Sequence, residues 1–247
     1  MTRIKPFTTQ GDEGRLIYVH IVDGDKEYDA EFWDSIRDDY SYRLKRTQMP
    51  DSYFGKMAKD FRWDFYREDT EMPKRLVNAF VTQYTEMWQP QHRGLYIYSD
   101  VKGSGKTLLA CCIGNEIATR YGANVKFVTA ADYLNVIRDK ESDMKKQIKE
   151  CDLLILDDFG VTEDKEWITE SFFRLINYRN TNMVSTIITS NLPRDYPKFD
   201  DRIGSRIRSM CIEVKLPEQS IRDEMARRDE KKFLDTLFSR EVKEENT

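Results

Sequence analysis

A glycine-rich segment joins a predicted β-strand at 94–99 to a predicted helix at 106–121, and it constrains the fold more tightly than any other stretch. The segment and the first helical residues are Gly103, Ser104, Gly105, Lys106, Thr107 and Leu108. Glycines let backbone N–H groups curve around phosphate oxygens, and a helix N-terminus attracts anions. A lysine in this register reaches the β- and γ-phosphates of a nucleotide, and the next hydroxyl residue ligates Mg²⁺. Residues 103–108 therefore predict a phosphate-binding loop.

The first position of this loop departs from the usual pattern, because Asp100 stands where glycine is normal. Aspartate tolerates unusual backbone angles better than most residues, so we expect the turn to form. The carboxylate would nevertheless repel a polyphosphate nearby, which would weaken nucleotide binding.

Two carboxylates follow an apolar run at 152–158, about fifty residues beyond the loop. A continuous apolar run predicts a strand buried on both faces, as in a parallel sheet covered by helices. Ligands bind at the carboxyl ends of such strands, beside the phosphate loop. We therefore predict that Asp157 binds Mg²⁺ through water and that Asp158 polarises the attacking water.

A second β-branched strand is predicted at 185–191, and it ends in the amide side chain of Asn191. In the same sheet, this amide would orient the lytic water between Asp158 and the γ-phosphate. A strand that ends in Ser-Asn is also an ordinary entry to a loop, so the prediction depends on the two preceding motifs.

Strands and helices alternate from Gly94 onward, which predicts an α/β fold with a parallel sheet and right-handed crossovers. Residues 142–150 are predicted to be a charged surface connection, and 220–239 a C-terminal helix. The predicted regions are an N-terminal partner-docking region at 1–50, a lead-in segment and helix at 51–93, the main domain at 94–238, and a frayed tail at 239–247. Within the first region, the pattern predicts a strand at 16–22, a turn at 23–24 and a helix at 31–46.

The chain has 247 residues, of which 34% are charged, and its net charge is −4. It does not favour strong non-specific binding to nucleic acid. We expect a cytoplasmic protein without membrane segments, because no apolar run is long enough to span a bilayer and the N-terminus lacks a signal peptide's apolar region. The four cysteines are predicted to be reduced core thiols, and two histidines make a zinc site improbable.

Residues 50–238 resemble the AAA+ ATPases of the DnaC/DnaI helicase-loader group, which includes the IstB-like transposition ATPases. The resemblance is carried by GLYIYSDVKGSGKT, LLILDDFG, STIITSNL and DRIGSRIRSMCIEVKLPEQSIR. It implies a P-loop NTPase in which Lys106 and Thr107 bind ATP and Mg²⁺ and Asp157 is the Walker B metal residue. It also implies that Asp158 holds the catalytic-base position and that Asn191 is sensor 1. It also implies that Arg206 is an arginine finger for a neighbouring subunit's ATP, with Arg202 and Arg208 as alternatives. Arg222 resembles the sensor 2 arginine, which acts on the γ-phosphate of its own subunit.

The resemblance implies an ATP-dependent loader that places a DnaB-type hexameric replicative helicase on single-stranded DNA. ATPase activity would be slow without self-association through a shared ATP site. Two alternatives remain: an IstB-like ATPase that regulates a transposase, and an ATP-binding scaffold with little hydrolysis, which Asp100 and Asp158 would favour. Possible DNA contacts are scattered over Lys126, Arg138, Lys145 and Lys146.

Overall fold

The N-terminal residues form a three-stranded antiparallel sheet. The structure is a computed structural model that describes residues 3–11, 14–23, 26–34, 43–139, 142–160 and 166–244. Strands β1 (Arg3–Gly11), β2 (Gly14–Asp23) and β3 (Lys26–Asp34) pair in sequence order.

The predicted strand at 16–22 is confirmed, since it lies inside β2. The predicted helix at 31–46 is wrong where β3 occupies residues 31–34, and helix is present only at 43–46 within the described part of that range. The reason is visible in β3, where Tyr28, Ala30 and Phe32 alternate with polar residues at the period of a strand. Of the turn predicted at 23–24, Asp23 is the last residue of β2 and Gly24 lies outside the described residues.

The main domain is built on a five-stranded parallel sheet. Its strands are β4 (Gly94–Tyr98), β5 (Val125–Thr129), β6 (Leu153–Asp157), β7 (Ser185–Ser190) and β8 (Cys211–Lys215). Their order is β5-β6-β7-β4-β8, and every neighbouring pair is parallel. This confirms the predicted α/β class. Because β4, β6 and β7 are adjacent, the motifs that follow them meet at one edge of the sheet.

Helices cover both faces of this sheet. They are α1 (Glu71–Thr82), α2 (Lys106–Tyr121), α3 (Ala130–Arg138), α4 (Ser142–Glu150), α5 (Glu166–Thr181), α6 (Asp201–Met210) and α7 (Arg222–Glu244). The predicted charged connection at 142–150 is instead helix α4, which is anchored by the buried Ile148. Helix α7 continues to Glu244, into the segment predicted to be frayed. No helix in the described ranges combines the length and the apolar character needed to cross a membrane.

Alternate residues of each strand enter two separate apolar layers. In β4, Leu95 and Ile97 pack in the layer with α1 and α2, whereas Tyr96 and Tyr98 pack in the layer with α3 to α6. Both layers exclude water, so both faces of β4 and β6 are buried, and this explains why the sequences of these strands are continuous apolar runs.

Residues 43–49 pack against the edge strand β5 rather than standing apart. The Phe127 N–H donates to the Thr47 carbonyl at 2.8 Å, and Lys126 Nζ donates to the Arg46 carbonyl at 2.7 Å. Leu44 and Met49 are buried. The segment covers the exposed hydrogen-bonding edge of β5. Lys126, one of the candidate DNA contacts, is therefore buried and lowered in pKa by that burial, so it does not offer a surface charge.

A fully buried arginine joins α4 to the start of β7. The Arg179 guanidinium donates to the carbonyls of Ile148, Lys149, Cys151 and Ser185 and to the Thr186 hydroxyl, at 2.5–3.2 Å. Its acceptors include the last carbonyls of α4, which have no partner inside the helix. Arg179 therefore acts as a clamp, in that its hydrogen bonds hold the end of α4 against the start of β7.

We expect Arg179→Leu to lower the free energy of unfolding by about 3 kcal/mol or more, because several buried carbonyls would lose their donor. Urea denaturation measures this change. Arg174→Leu is the matched control on the exposed face of α5 and should change stability by less than about 0.5 kcal/mol. Equal effects of the two substitutions would contradict the assigned clamp role.

Candidate nucleotide-binding site

A cavity of about 1050 Å³ opens at the carboxyl edge of the parallel sheet. It is lined by the glycine-rich loop, the residues that follow β5, β6 and β7, and the first turns of α7. This volume lies just above the usual range for ligand pockets, about 300–1,000 Å³.

Two glycines give the loop its curvature. Gly103 and Gly105 have φ values of 79° and 92°, which a residue with a side chain rarely adopts. A Cβ at Gly105 would also lie 2.9 Å from Ile221 Cδ1 and 3.2 Å from Phe61 Cε2. The first α2 hydrogen bond runs from Leu109 N–H to the Gly105 carbonyl at 2.9 Å. The preceding helical N–H groups have no acceptor within the helix and are available to an anion.

The Lys106 ammonium lies inside this loop. Its Nζ donates to the carbonyls of Ser99 and Val101, both at 3.0 Å, and to Ser104 Oγ at 3.2 Å. Burial lowers the pKa of Lys106, while the charges of Asp158 and other nearby carboxylates oppose that shift. A phosphate oxygen would give the ammonium a charged acceptor in place of a neutral carbonyl, which makes a stronger hydrogen bond.

Asp100 fits the turn without left-handed backbone geometry. Its φ is not positive, unlike those of Gly103 and Gly105, so this position does not require glycine. The side chain is exposed and does not line the cavity. The surrounding water will screen the repulsion expected between its carboxylate and a polyphosphate.

The structure brings Thr107 and Asp157, the two predicted metal residues, into contact. Thr107 Oγ1 donates to Asp157 Oδ2 at 3.1 Å, and Thr189 Oγ1 donates to Asp157 Oδ1 at 2.6 Å. Burial raises the pKa of the Asp157 carboxyl, because water solvates its charged form poorly there. A hydroxyl oxygen beside a poorly solvated carboxylate is a set of oxygen ligands that fits Mg²⁺.

Asp158 lines the cavity in a strained backbone conformation, with φ at 54°. Its N–H donates to Thr189 Oγ1 at 3.0 Å, so one hydroxyl holds both carboxylate residues. Strain of this kind persists only where surrounding contacts enforce it. Thr189, which the sequence reasoning missed, supplies that contact.

Asn191 and Arg222 line the same cavity from two other elements. Asn191 follows β7, whose end is tied to β6 by a 2.6 Å hydrogen bond from Ser190 Oγ to the Phe159 carbonyl. The start of α7 lies on the phosphate loop, because the Ile221 N–H donates to the Gly103 carbonyl at 3.0 Å. Both predicted residues therefore line the cavity that Asp158 and the glycine-rich loop also line.

Arg206 lies outside the cavity, on α6. Its Nε donates to Asn177 Oδ1 at 2.7 Å. The two alternative arginines pair with carboxylates: Arg202 with Asp200 at 3.0 Å, and Arg208 with Asp195 at 3.6 Å. The structure thus separates Arg206 from the phosphate loop of its own chain.

The sequence reasoning also missed the walls of the cavity. Tyr53 and Lys56 form one wall, and Asn115 Nδ2 donates to both of their carbonyls at 2.9 Å. Arg138 and Trp167 also line the cavity, with the guanidinium carbon of Arg138 5.8 Å from the centroid of the Trp167 ring. Tyr53 lies in an aromatic-rich segment of the sequence, and this was the one sequence feature that could have indicated the wall formed by Tyr53 and Lys56.

Two solved structures share this fold. The DnaC helicase loader matches with a TM-score of 0.57 and 23% identity, covering 68% of this chain and 100% of that chain. The AMPPCP-bound DnaA from Aquifex aeolicus matches with a TM-score of 0.56 and 22% identity, covering 75% of this chain and 57% of that chain. These likenesses confirm the predicted fold, which this chain shares with the DnaC helicase loader and with DnaA.

Sequence comparison identifies the family. The chromosomal replication initiator protein DnaA of Lacticaseibacillus paracasei (strain ATCC 334) is 35% identical over 136 residues, which is 52% of this chain. The chain spans only 30% of the length of that relative. The family described as the bacterial DnaA ATPase domain matches residues 72–213, more than half of the chain. Together with the cavity and its phosphate loop, this match shows that the chain belongs to the bacterial DnaA ATPase-domain family.

Proposed function

We propose that the chain binds and hydrolyses ATP with Mg²⁺ and uses this cycle to load a DnaB-type replicative helicase onto single-stranded DNA. The observation that carries the ATPase part is the convergence of the phosphate loop, Asp158, Asn191 and Arg222 on one cavity. Asp157 is joined to this site by its hydrogen bond with Thr107. The loader part is supported by the fold likeness to the DnaC helicase loader, which extends over all of that chain.

Each residue around the cavity has a distinct role in this proposal. Lys106 and the loop N–H groups hold the phosphates, and Arg222 contacts the γ-phosphate. When bound, Mg²⁺ neutralises charge on the β- and γ-phosphates, and it would be held by Thr107 directly and by Asp157 through water. Asp158 accepts a proton from the attacking water, which Asn191 orients.

The adenosine would lie along the wall formed by Tyr53 and Lys56. Met225 faces the same cavity from α7 and supplies an apolar surface. An aromatic ring and a thioether suit the flat apolar faces of a base. This placement puts the phosphates on the loop and the base near the 51–56 segment.

The position of Arg206 supports the proposed self-association. Because this arginine lies outside its own cavity, it would act on the ATP of a second copy. ATP binding and assembly would then be thermodynamically linked, so that each strengthens the other. The assembled chains would hold the helicase and single-stranded DNA, and hydrolysis would release them.

The Thr189 contact gives a prediction for Mg²⁺ dependence. Thr189→Val keeps the shape of the side chain but removes the hydroxyl that holds both Asp157 and Asp158. We expect the Mg²⁺ concentration for half-maximal ATPase activity to rise about 10-fold or more, as for other partners of metal ligands. Thr189→Ser should keep the wild-type requirement. An unchanged Mg²⁺ requirement in the valine variant would contradict the positioning role.

Co-purification with a DnaB-type helicase tests the loader proposal. A chain that begins at Arg43 is the appropriate truncation, because residues 43–49 pack on β5 and should be kept. We expect the full chain to retain the helicase with ATP and the truncated chain to lose it. Retention of the helicase after truncation would contradict docking by the N-terminal sheet. Capture of a transposase in place of the helicase would contradict the loader proposal itself.

A further inference from the structure

Arg206 is held by two residues of the neighbouring helix α5. Its Nε donates to Asn177 Oδ1 at 2.7 Å, and its guanidinium carbon lies 4.8 Å from the centroid of the Phe173 ring. One terminal nitrogen donates to the Arg202 carbonyl at 2.8 Å. Phe173 and Asn177 are four residues apart, as are Arg202 and Arg206, so two one-turn pairs meet across the α5–α6 contact.

The acceptors around Arg206 are neutral, in contrast with those of its neighbours. Arg202 stacks on the same Phe173 ring at 4.4 Å but also pairs with Asp200 at 3.0 Å. Arg208 pairs with Asp195 at 3.6 Å. Among the described residues, no carboxylate pairs with Arg206. Its positive charge is therefore oriented but not paired with a carboxylate in the described ranges.

We propose that Phe173 and Asn177 are positioning residues that present Arg206 to the ATP of a second copy of this chain. This inference rests on the proposed shared site. The ring fixes the plane of the guanidinium, and the amide fixes its rotation through Nε. A guanidinium has five N–H donors, and the two internal hydrogen bonds leave three for phosphate oxygens.

The amide at position 177 serves this role better than a carboxylate. An aspartate there would form an ion pair with Arg206 and compete with the phosphate for its charge. An alanine would leave the charge free but remove the orienting acceptor. Misplacement of a reacting group by about 1 Å can cost about 100-fold in rate.

Complementation between two defective chains isolates this effect. K106A lacks the nucleotide site but keeps Arg206, whereas R206A keeps the site but lacks the finger. We expect a mixture of the two to regain ATPase activity, because K106A donates Arg206 to the R206A site. The donor chain is then modified to K106A/N177A or K106A/N177D. We expect the restored activity to fall about 10- to 100-fold, with the aspartate donor at least as defective as the alanine donor.

Asn180 provides the matched control on the same helix. Its Oδ1 accepts a hydrogen bond from Ser209 Oγ on α6 at 3.3 Å, whereas the acceptors of the Arg206 guanidinium are Asn177 Oδ1 and the Arg202 carbonyl. A K106A/N180A donor should restore activity as well as K106A does. Thermal unfolding of each donor verifies folding, and the near-isosteric aspartate variant serves where the alanine variant is unstable.

The outcomes separate the two levels of the proposal. If the K106A chain restores ATPase activity to the R206A chain, and the donor chains with an Asn177 substitution restore it equally well, the positioning role is overturned while the shared site stands. If K106A does not restore R206A at all, the shared site is overturned, and the positioning role falls with it. Selective failure of the Asn177 donors supports both.

Discussion

Lys106→Ala is expected to weaken ATP binding by at least about 100-fold and to abolish turnover. The Lys106 ammonium is held at the centre of the phosphate loop by two carbonyls and the Ser104 hydroxyl. Hydrogen bonds to charged groups contribute about 1.5–3 kcal/mol each, and every 1.4 kcal/mol is a factor of ten in affinity. Calorimetric titration with ATP and Mg²⁺ measures the loss, and thermal unfolding verifies that the variant is folded.

Lys102→Ala is the control from the same loop. Lys102 also lines the cavity, but its side chain is exposed, so its charge is screened by water. We expect its loss to change affinity by less than about threefold. Equal losses for both variants would indicate a general effect of charge, and unchanged affinity in the Lys106 variant would contradict the assigned phosphate site.

Arg206→Ala is expected to lower the ATPase rate by about 10³- to 10⁵-fold, the usual contribution of an arginine finger. The effect should be seen at protein concentrations at which the wild-type chain is assembled. ATP affinity of the isolated chain should be unchanged, because Arg206 does not line the cavity. Steady-state kinetics and calorimetry on the same preparation measure both quantities.

Arg202→Ala is the control for this prediction, since Arg202 lies one helical turn away and pairs with Asp200. A smaller loss of rate is expected there. If the Arg202 variant lost more activity than the Arg206 variant, the finger would have to be reassigned. A full rate in the Arg206 variant would contradict the assignment of Arg206 as the finger.

The loop and the strand ends could be predicted because they depend on residues adjacent in sequence. Gly105, Lys106 and Thr107 are consecutive, and Asp157 directly ends β6. Parallel pairing then brings such ends together, whatever the details of side-chain packing. By contrast, the roles of Arg206 and Arg222 came only from the family resemblance.

The missed features depend on contacts between distant residues. Thr189 lies about thirty residues from the acidic pair that it holds. The Tyr53 wall is fixed by Asn115, which is 62 residues away in sequence. No local pattern reports such hydrogen bonds. The N-terminal helix prediction was wrong at 31–34 for a different reason, since the charged and aromatic composition outweighed the two-residue alternation in β3.

The specific ATPase activity of the wild-type chain as a function of its own concentration tests the central claim most directly. If the nucleotide site is completed by Arg206 of a second chain, activity per molecule should rise with protein concentration and then reach a plateau. A specific activity that stays constant over the whole range would contradict a shared site.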